Sequence, residues 1–123
     1  MEDNIFTNGI KVNNKNLKAE ANIVKDLIIK LNDNNITTSI EYKIKKSRVD
    51  IVVIKDNLVK CCIEVKKNTR KEFNTNTRQY KRYTQIGLPT IYCLGSKNIN
   101  KTVEIVKDKM LKDTVKVEMI VLN

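Results

Sequence analysis

The sequence predicts a single α/β domain in which a mixed central sheet is flanked by helices. A long apolar stripe at helical spacing lies near the start of the chain, and three strand-like segments follow it with short connections. Helical and strand-like patterns then alternate toward the end. At 123 residues the chain has the length of one domain. The predicted order of elements is αβββαβαβ.

The first half holds one helix and three strands, after residues 1–15, which we predict to be an irregular N-terminal arm. Apolar residues recur every three to four positions over Leu17–Asn32, which predicts a helix. In the first strand, Ile40, Tyr42 and Ile44 alternate with polar residues and are expected to share one buried face. A tight turn at residues 55–57 joins the second and third strands. The three predicted strands are Thr37–Ile44, Arg48–Ile54 and Leu58–Lys67.

The second half is predicted to alternate between helices and strands. Thr77 can cap a helix that runs to about Ile86, and Gly87 with Pro89 then forms a helix stop. The remaining predicted elements are a strand at Thr90–Leu94, a helix at Asn98–Leu111 and a strand at Val115–Leu122.

The charge balance points to a polyanionic partner. The chain carries 24 Lys and Arg against 14 Asp and Glu, a formal net charge of +10. Such a protein binds phosphates through counterion release, although a lysine- and asparagine-rich composition alone would also raise the charge. The chain has no histidine, which excludes histidine-based metal centres and Ser-His-Asp triads. Any metal must be held mainly by oxygen, which favours Mg²⁺ or Mn²⁺.

Cysteine usage and hydropathy limit the remaining classes. Cys61, Cys62 and Cys93 include an adjacent pair and form no CxxC motif, so we expect buried free thiols, with neither a zinc site nor a disulfide-linked partner. No apolar run approaches the roughly 18 residues of a membrane span. The polar start is unlike a signal peptide, and we expect an intracellular protein without a membrane partner.

Three charged residues interrupt the second and third strands, which otherwise read as buried. These residues are Asp50, Glu64 and Lys66. Burying a charge is costly unless it is paired or binds a metal. Glu64 and Lys66 share one face of their strand, and the tight turn can bring Asp50 beside them. Two carboxylates that hold a cation and a lysine that orients a water suit phosphodiester hydrolysis.

Two other readings of these charges stay open. The same three residues can form an internal salt bridge with no chemical role. The sequence also contains a second acid-x-Lys triplet, Glu41-Tyr-Lys43, whose charges fall on the polar side of a half-exposed strand. We interpret Glu41 and Lys43 as a solvated surface pair.

The segment Arg48-Val-Asp50, followed by Glu64-Val-Lys66, resembles the signature of the PD-(D/E)XK nuclease superfamily. Val49 stands where proline is often found in that superfamily. The restriction endonuclease-like core is αβββαβ, the order predicted from Leu17 to Leu94, and the chain would add a C-terminal helix and strand. The resemblance implies that Asp50 and Glu64 bind Mg²⁺, with Mn²⁺ able to substitute, together with the carbonyl of Val65. It implies that Lys66 is the catalytic lysine.

Two further features extend the resemblance. Glu20 lies within the apolar stripe of the first helix and fits the helix glutamate that often joins the metal site of these nucleases. The segment Gln79-Tyr-Lys-Arg-Tyr83 resembles the Q-x-x-x-Y motif of recombination-type and restriction-subunit nuclease domains. It implies that Gln79 faces the site and that Tyr83 packs or contacts the substrate.

Basic residues flank the predicted site and are expected to hold the phosphates of DNA without reading its bases. For any one of them an ordinary solvated charge is an equal alternative. The residues are Lys45, Lys46, Arg48, Lys67, Arg70, Lys71, Arg78, Lys81 and Arg82.

The sequence therefore predicts a Mg²⁺-dependent endonuclease that hydrolyses DNA. Its size and strand pattern resemble archaeal-type Holliday-junction resolvases, which act as homodimers, so we expect a homodimer. The segment from Gln79 to Pro89 leans toward restriction-type and small viral nuclease domains, and a mobile-element nuclease also stays open. Two alternatives from other classes are a catalytically inactive nucleic-acid-binding module with the same fold and a structural interaction domain.

Overall fold

The computed structural model describes residues 14–44, 47–66 and 86–123, and for residues 14–18 and 47 it describes the backbone alone. A 3₁₀ turn at Ser96–Asn98 precedes the second helix, and a π-helical turn at Val106–Met110 follows it. The main elements are α1 (Asn14–Asp33), β1 (Thr37–Ile44), β2 (Ser47–Lys55), β3 (Leu58–Lys66), β4 (Thr90–Leu94), α2 (Ile99–Ile105) and β5 (Met119–Leu122).

The five strands form one mixed sheet in the order β1-β2-β3-β4-β5. The first three strands are antiparallel neighbours, and β3, β4 and β5 run parallel. The predicted α/β class with a mixed sheet and helices is confirmed. We call the edge at which β2 begins and β3 and β4 end the site edge, and the edge that carries the β2–β3 turn the hairpin edge.

Most predicted elements agree with the structure; β2 is one residue longer at each end than predicted, β3 ends one residue earlier, and three differences are larger. The first helix begins at Asn14, so residues 14 and 15 belong to α1 and not to the irregular arm. The last strand is shorter than predicted, because the chain enters the sheet only at Met119. The predicted helix at Asn98–Leu111 is divided into α2 and the π-helical turn. Residues 1–13 and the predicted helix from Thr77 to residue 85 lie outside the described residues.

Helices α1 and α2 contribute to a core on one face of the sheet. Leu27 and Leu31 of α1 are fully buried there, against Ile51, Ile63 and the fully buried Val106 that follows α2. Burying a side chain of this size contributes about 1.5–3 kcal/mol, so this cluster is the main source of stability. A smaller cluster on the opposite face consists of Val49, Val52, Cys62 and Ile86.

The hairpin edge is built from residues that suit their conformations. Asp56 and Asn57 both have positive φ, 55° and 64°, as a two-residue type I′ turn requires. Asp and Asn tolerate this region better than other non-glycine residues. The ammonium of Lys55 donates a 2.8 Å hydrogen bond to the carbonyl of Leu111, which fixes the turn to the end of the helical segment.

Strand β1 does not alternate as predicted. Ile40 lies opposite Ile51, which packs on the helix face, whereas Tyr42 lies opposite Val49, which packs in the smaller cluster. The prediction that Ile40, Tyr42 and Ile44 share one face is therefore wrong. The cause lies between them, because Glu41 has a φ of 48°, outside the range of a β-strand.

Candidate active site

A groove of about 620 Å³ opens at the site edge, between α1 and the first two strands of the sheet. Its wall is largely apolar and includes Val24 and Ile28 of α1. Its charged lining residues are Glu20, Lys25, Glu41, Arg48 and Asp50. Acidic and basic side chains therefore meet at the rim of an apolar groove.

Asp50 reaches this groove because the alternation of β2 breaks beside it. Val49 and Val52 both pack in the smaller cluster, three positions apart, whereas Ile51 and Val53 pack on the helix face. A regular strand returns a side chain to the same face only after an even number of residues. The irregularity thus falls at residues 50–51 and places the Asp50 side chain on the side of α1.

The carboxylate of Asp50 is held by the backbone of the neighbouring strand. Its Oδ2 accepts a 2.8 Å hydrogen bond from the N–H of Val65. The paired residues of β2 and β3 nearest this point are Ile51 and Ile63. The side chain of Asp50 thus continues the contact between the two strands beyond their ladder. This hydrogen bond satisfies the Val65 donor and fixes one carboxylate oxygen.

The carbonyl of Val65 lies on the same side as Asp50. The N–H of Cys62 donates to Pro89 on the β4 side, and the carbonyl of Lys66 accepts from Gly95 at 2.8 Å, also on the β4 side. Backbone groups of successive strand residues point to alternate sides, so those of Val65 point toward β2. Val65 therefore presents both an N–H and a carbonyl to the space beside Asp50.

Glu20 lies in the same groove. It occupies the N-terminal half of α1, where the helix crosses the site edge, and its side chain is half-buried. Because Asp50 lines the groove from the sheet, the structure brings together two of the carboxylates predicted from the sequence. Val65, the predicted backbone ligand, also lines this groove.

Glu64 is buried on the other face of the sheet. It is 5% exposed, and it lies two positions from Cys62 of the smaller cluster and opposite Tyr92 of β4. Its neighbours Ile63 and Val65 pack on the helix face. Glu64 is not among the residues that line the groove, and half-buried Lys66 is not among them either.

The pKa of the buried Cys62 thiol depends on the nearby Glu64 carboxylate. Burial, together with a smaller contribution from the nearby Glu64 carboxylate, raises the pKa of Cys62 to about 12. Burial likewise raises the pKa of the Cys61 and Cys93 thiols. All three cysteines are buried and free, so they are protonated and unreactive at neutral pH.

The oxygen donors suit a hard divalent cation, but the set is small. Within residues 14–44, 47–66 and 86–123, no group of three or more His, Cys, Asp or Glu side chains is placed to hold a metal ion. Mg²⁺ commonly takes one or two carboxylates and completes its shell with water and substrate phosphate. Glu20, Asp50 and the Val65 carbonyl fit that pattern, whereas Glu64 does not join them in this structure.

Glu41 also lines the groove, although its sequence pattern predicts only a surface position. It is exposed, as expected, but its Oε1 lies 3.4 Å from Nη1 of Arg48 and not beside Lys43. The register places Glu41 across from Asp50, in a gap between the pairs Ile40–Ile51 and Tyr42–Val49. No sequence motif predicts that Glu41 lies near Asp50, because only the pairing of β1 with β2 brings the two residues together. An exposed ion pair of this kind contributes about 0–1 kcal/mol.

Most other predicted site residues lie outside the described part of the chain. Arg48 is the exception, because it lines the groove beside Asp50. The residues outside are Gln79, Tyr83, Lys45, Lys46, Lys67, Arg70, Lys71, Arg78, Lys81 and Arg82.

Comparisons with protein-family models, curated proteins and solved structures found no match for this chain. In the described residues no helix is long and apolar enough to cross a membrane. The functional argument therefore rests on the residues at the site edge.

Proposed function

We propose that this protein is a metal-dependent endonuclease that hydrolyses DNA and has a restriction endonuclease-like core. One observation carries the proposal. The carboxylate of Asp50 is fixed on the N–H of Val65 at the end of β3, and Glu20 lines the same groove. This is the ligand set that the sequence pattern implies, with the exception of Glu64.

The topology supports the proposal. A helix leads into three antiparallel strands, and β4 lies parallel to the third of them. This order agrees with the αβββαβ core except at the predicted helix before β4, a prediction that falls on residues outside the described ranges. The acid of β2 and the acid-x-Lys triplet of β3 then belong to one edge of the sheet.

Different residues of the chain have different roles in phosphodiester hydrolysis. Glu20, Asp50 and the carbonyl of Val65 would hold Mg²⁺, which lowers the pKa of a bound water and neutralises charge on the phosphate. As the sequence pattern implies, the ammonium of Lys66 would orient the attacking water and stabilise the pentavalent oxygens, although Lys66 does not line the groove in this structure. Arg48, at the groove, binds a phosphate oxygen and holds the substrate in place.

Glu64 does not join Glu20, Asp50 and Val65 in this structure, and it stays a proposed metal ligand on a separate argument. Glu64 is 5% exposed, and burying a carboxylate costs several kcal/mol. Packing alone would not require a charged residue at this position. Glu64 also adjoins Val65 in the chain. We expect Glu64→Ala to abolish cleavage while leaving DNA binding intact or stronger, because the change removes negative charge near the phosphates.

The proposal is tested by incubating the protein with supercoiled plasmid, a four-way junction and single-stranded DNA. Each substrate is assayed with Mg²⁺, with Mn²⁺ and with EDTA. We expect cleavage with either metal and none with EDTA, and the preferred substrate distinguishes a junction resolvase from a restriction-type enzyme. Normal cleavage by the Glu64→Ala variant would contradict the assignment of that residue.

A catalytically inactive DNA-binding module is the second candidate. It is favoured by the position of Glu64, which faces away from the groove that Glu20 and Asp50 line. This candidate predicts DNA binding that EDTA does not change and no cleavage of any substrate with either metal. The same assay therefore separates the two functions.

We further propose that the active enzyme is a homodimer, because cutting both strands of a duplex generally needs two sites. Light scattering at working concentration tests this. The expected mass is twice that of the chain, and a monomeric mass together with two-strand cutting would contradict the proposal.

A further inference from the structure

The loop after β4 lies at the site edge, beside the end of β3. Lys66 and Leu94 are paired as the last residues of the two parallel strands. The N–H of Gly95 then donates a 2.8 Å hydrogen bond to the carbonyl of Lys66. The residues that follow Gly95 are therefore tied to the strand that carries Glu64 and Lys66, although no motif in the sequence connects them.

This loop is held in a defined shape. Gly95 has a φ of 88°, a conformation that favours glycine, so the chain turns sharply out of the sheet. The side-chain amide of Asn98 donates to the carbonyls of Leu94 and Leu122, at 2.7 and 2.8 Å. These bonds fix the turn to the ends of β4 and β5. A side chain carried between Gly95 and Asn98 is thus presented from a rigid platform.

Lys97 is the charged residue of this turn, and it is exposed. Among the residues that the structure describes, no carboxylate forms an ion pair with it. By contrast, Lys101 on the first turn of α2 lies 3.6 Å from the carboxylate of Glu104. Lys97 therefore presents an uncompensated ammonium group, which suits an anion delivered by a ligand.

We propose that Lys97 binds a backbone phosphate of the DNA, next to the phosphate held at the active site. The inference rests on the proposed nuclease function. Arg48, Lys66 and Lys97 belong to β2, β3 and the loop after β4, and adjacent strands lie about 4.8 Å apart. The strands and the loop that carry the three cations thus span roughly 10 Å of the site edge, enough to face more than one phosphate.

The test compares Lys97→Ala with Lys112→Ala, which removes the same charge at the other end of the molecule. Lys112 is exposed and follows Leu111, whose carbonyl is bound by Lys55 of the hairpin edge. Binding of a short labelled duplex is measured over a range of salt concentrations in EDTA, so that the DNA is not cut. Thermal denaturation verifies that both variants are folded.

We expect Lys97→Ala to weaken binding several-fold and to reduce the slope of log K against log salt by about one, as the loss of one phosphate contact requires. Lys112→Ala should leave the slope unchanged, and Lys97→Arg should restore it. Equal slopes for the two alanine variants, with wild-type protein that binds DNA, would overturn the inference and leave the proposed function standing. Failure of the wild type to bind DNA would overturn both.

Discussion

The same strands connect the hairpin edge and the site edge, but the two edges differ in how well their residues suit their backbone conformations. At the hairpin edge, Asp56 and Asn57 take positive φ values that a type I′ turn needs and that these residues accept. At the site edge, Glu41 takes a similar φ of 48° inside a strand, where a side chain of its kind is not favoured. The hairpin edge therefore follows the conformational preferences of its residues, whereas the site edge departs from them at Glu41.

The difference extends to charge. The cation of the hairpin edge, Lys55, caps a carbonyl at the end of a helical segment, where the helix dipole favours it. At the site edge, Glu64 is buried in a strand and Asp50 is held by a backbone N–H. Unfavourable local features of this kind persist where function needs them. The comparison supports placing the chemistry at the site edge.

The largest expected effect is on catalysis and separates the two edges directly. Asp50→Asn keeps the shape of the side chain but removes its charge, so we expect cleavage to fall roughly 100-fold or more, as when an electrostatic group is removed from an active site. Asp56→Asn, the same change in the hairpin turn, should leave the rate unaltered. Plasmid nicking rates measure both, and equal rates for the two variants would contradict a catalytic role for Asp50.

A smaller effect is expected on stability. Glycine accepts positive φ freely, so Glu41→Gly should raise the free energy of unfolding by about 1 kcal/mol, even though it loses the exposed ion pair to Arg48. Thr38→Gly, in the same strand at a regular position, should lower it by about 0.5–1 kcal/mol. Urea denaturation measures both variants. Destabilisation of equal size in the two would show that Glu41 is not strained.

The smallest effect concerns Cys62, between the two edges. Its pKa of about 12 lies above the ordinary thiol value of 9.0, so the folded state favours the protonated form. The stability this provides is complete below pH 9 and is lost as the pH rises toward 12.

Removing the charge of Glu64 should lower the pKa of Cys62, because that carboxylate contributes to the shift. Glu64→Gln should therefore lose less stability than the wild type between pH 9 and pH 11. Thermal denaturation across this range measures the difference. Identical pH profiles would mean that Glu64 carries no charge in the folded protein.

The sequence was sufficient for the elements whose pattern is set by burial. Apolar residues at helical spacing predicted α1, and β4 was predicted with the bounds that the structure has; β1 has its predicted bounds but not its predicted alternation. The burial of Glu64 also followed from the apolar residues on both sides of it. In each of these cases one local property decides the outcome.

Features that depend on two strands at once were not predictable. The break in alternation at Glu41 and Asp50 arises from the pairing of β1 with β2. The positive φ of Glu41 was also not predictable, because glutamate rarely adopts this conformation. Val115 and Val117 alternate like strand residues, so the last strand was predicted to begin too early. Its first pair with β4 is at Met119. Lys97 has no sequence signal, since only the parallel register of β3 and β4 brings its loop to the site edge.

Isothermal titration calorimetry with Mn²⁺ determines whether a divalent cation binds in the groove between Glu20 and Asp50. The wild-type protein should bind the ion, and a Glu20→Gln, Asp50→Asn double variant should bind it at least about ten times more weakly, because two oxygen ligands lose their charge. Lys112→Ala serves as the control and should bind like the wild type. Equal affinity of the double variant and the wild type would contradict a cation site in this groove.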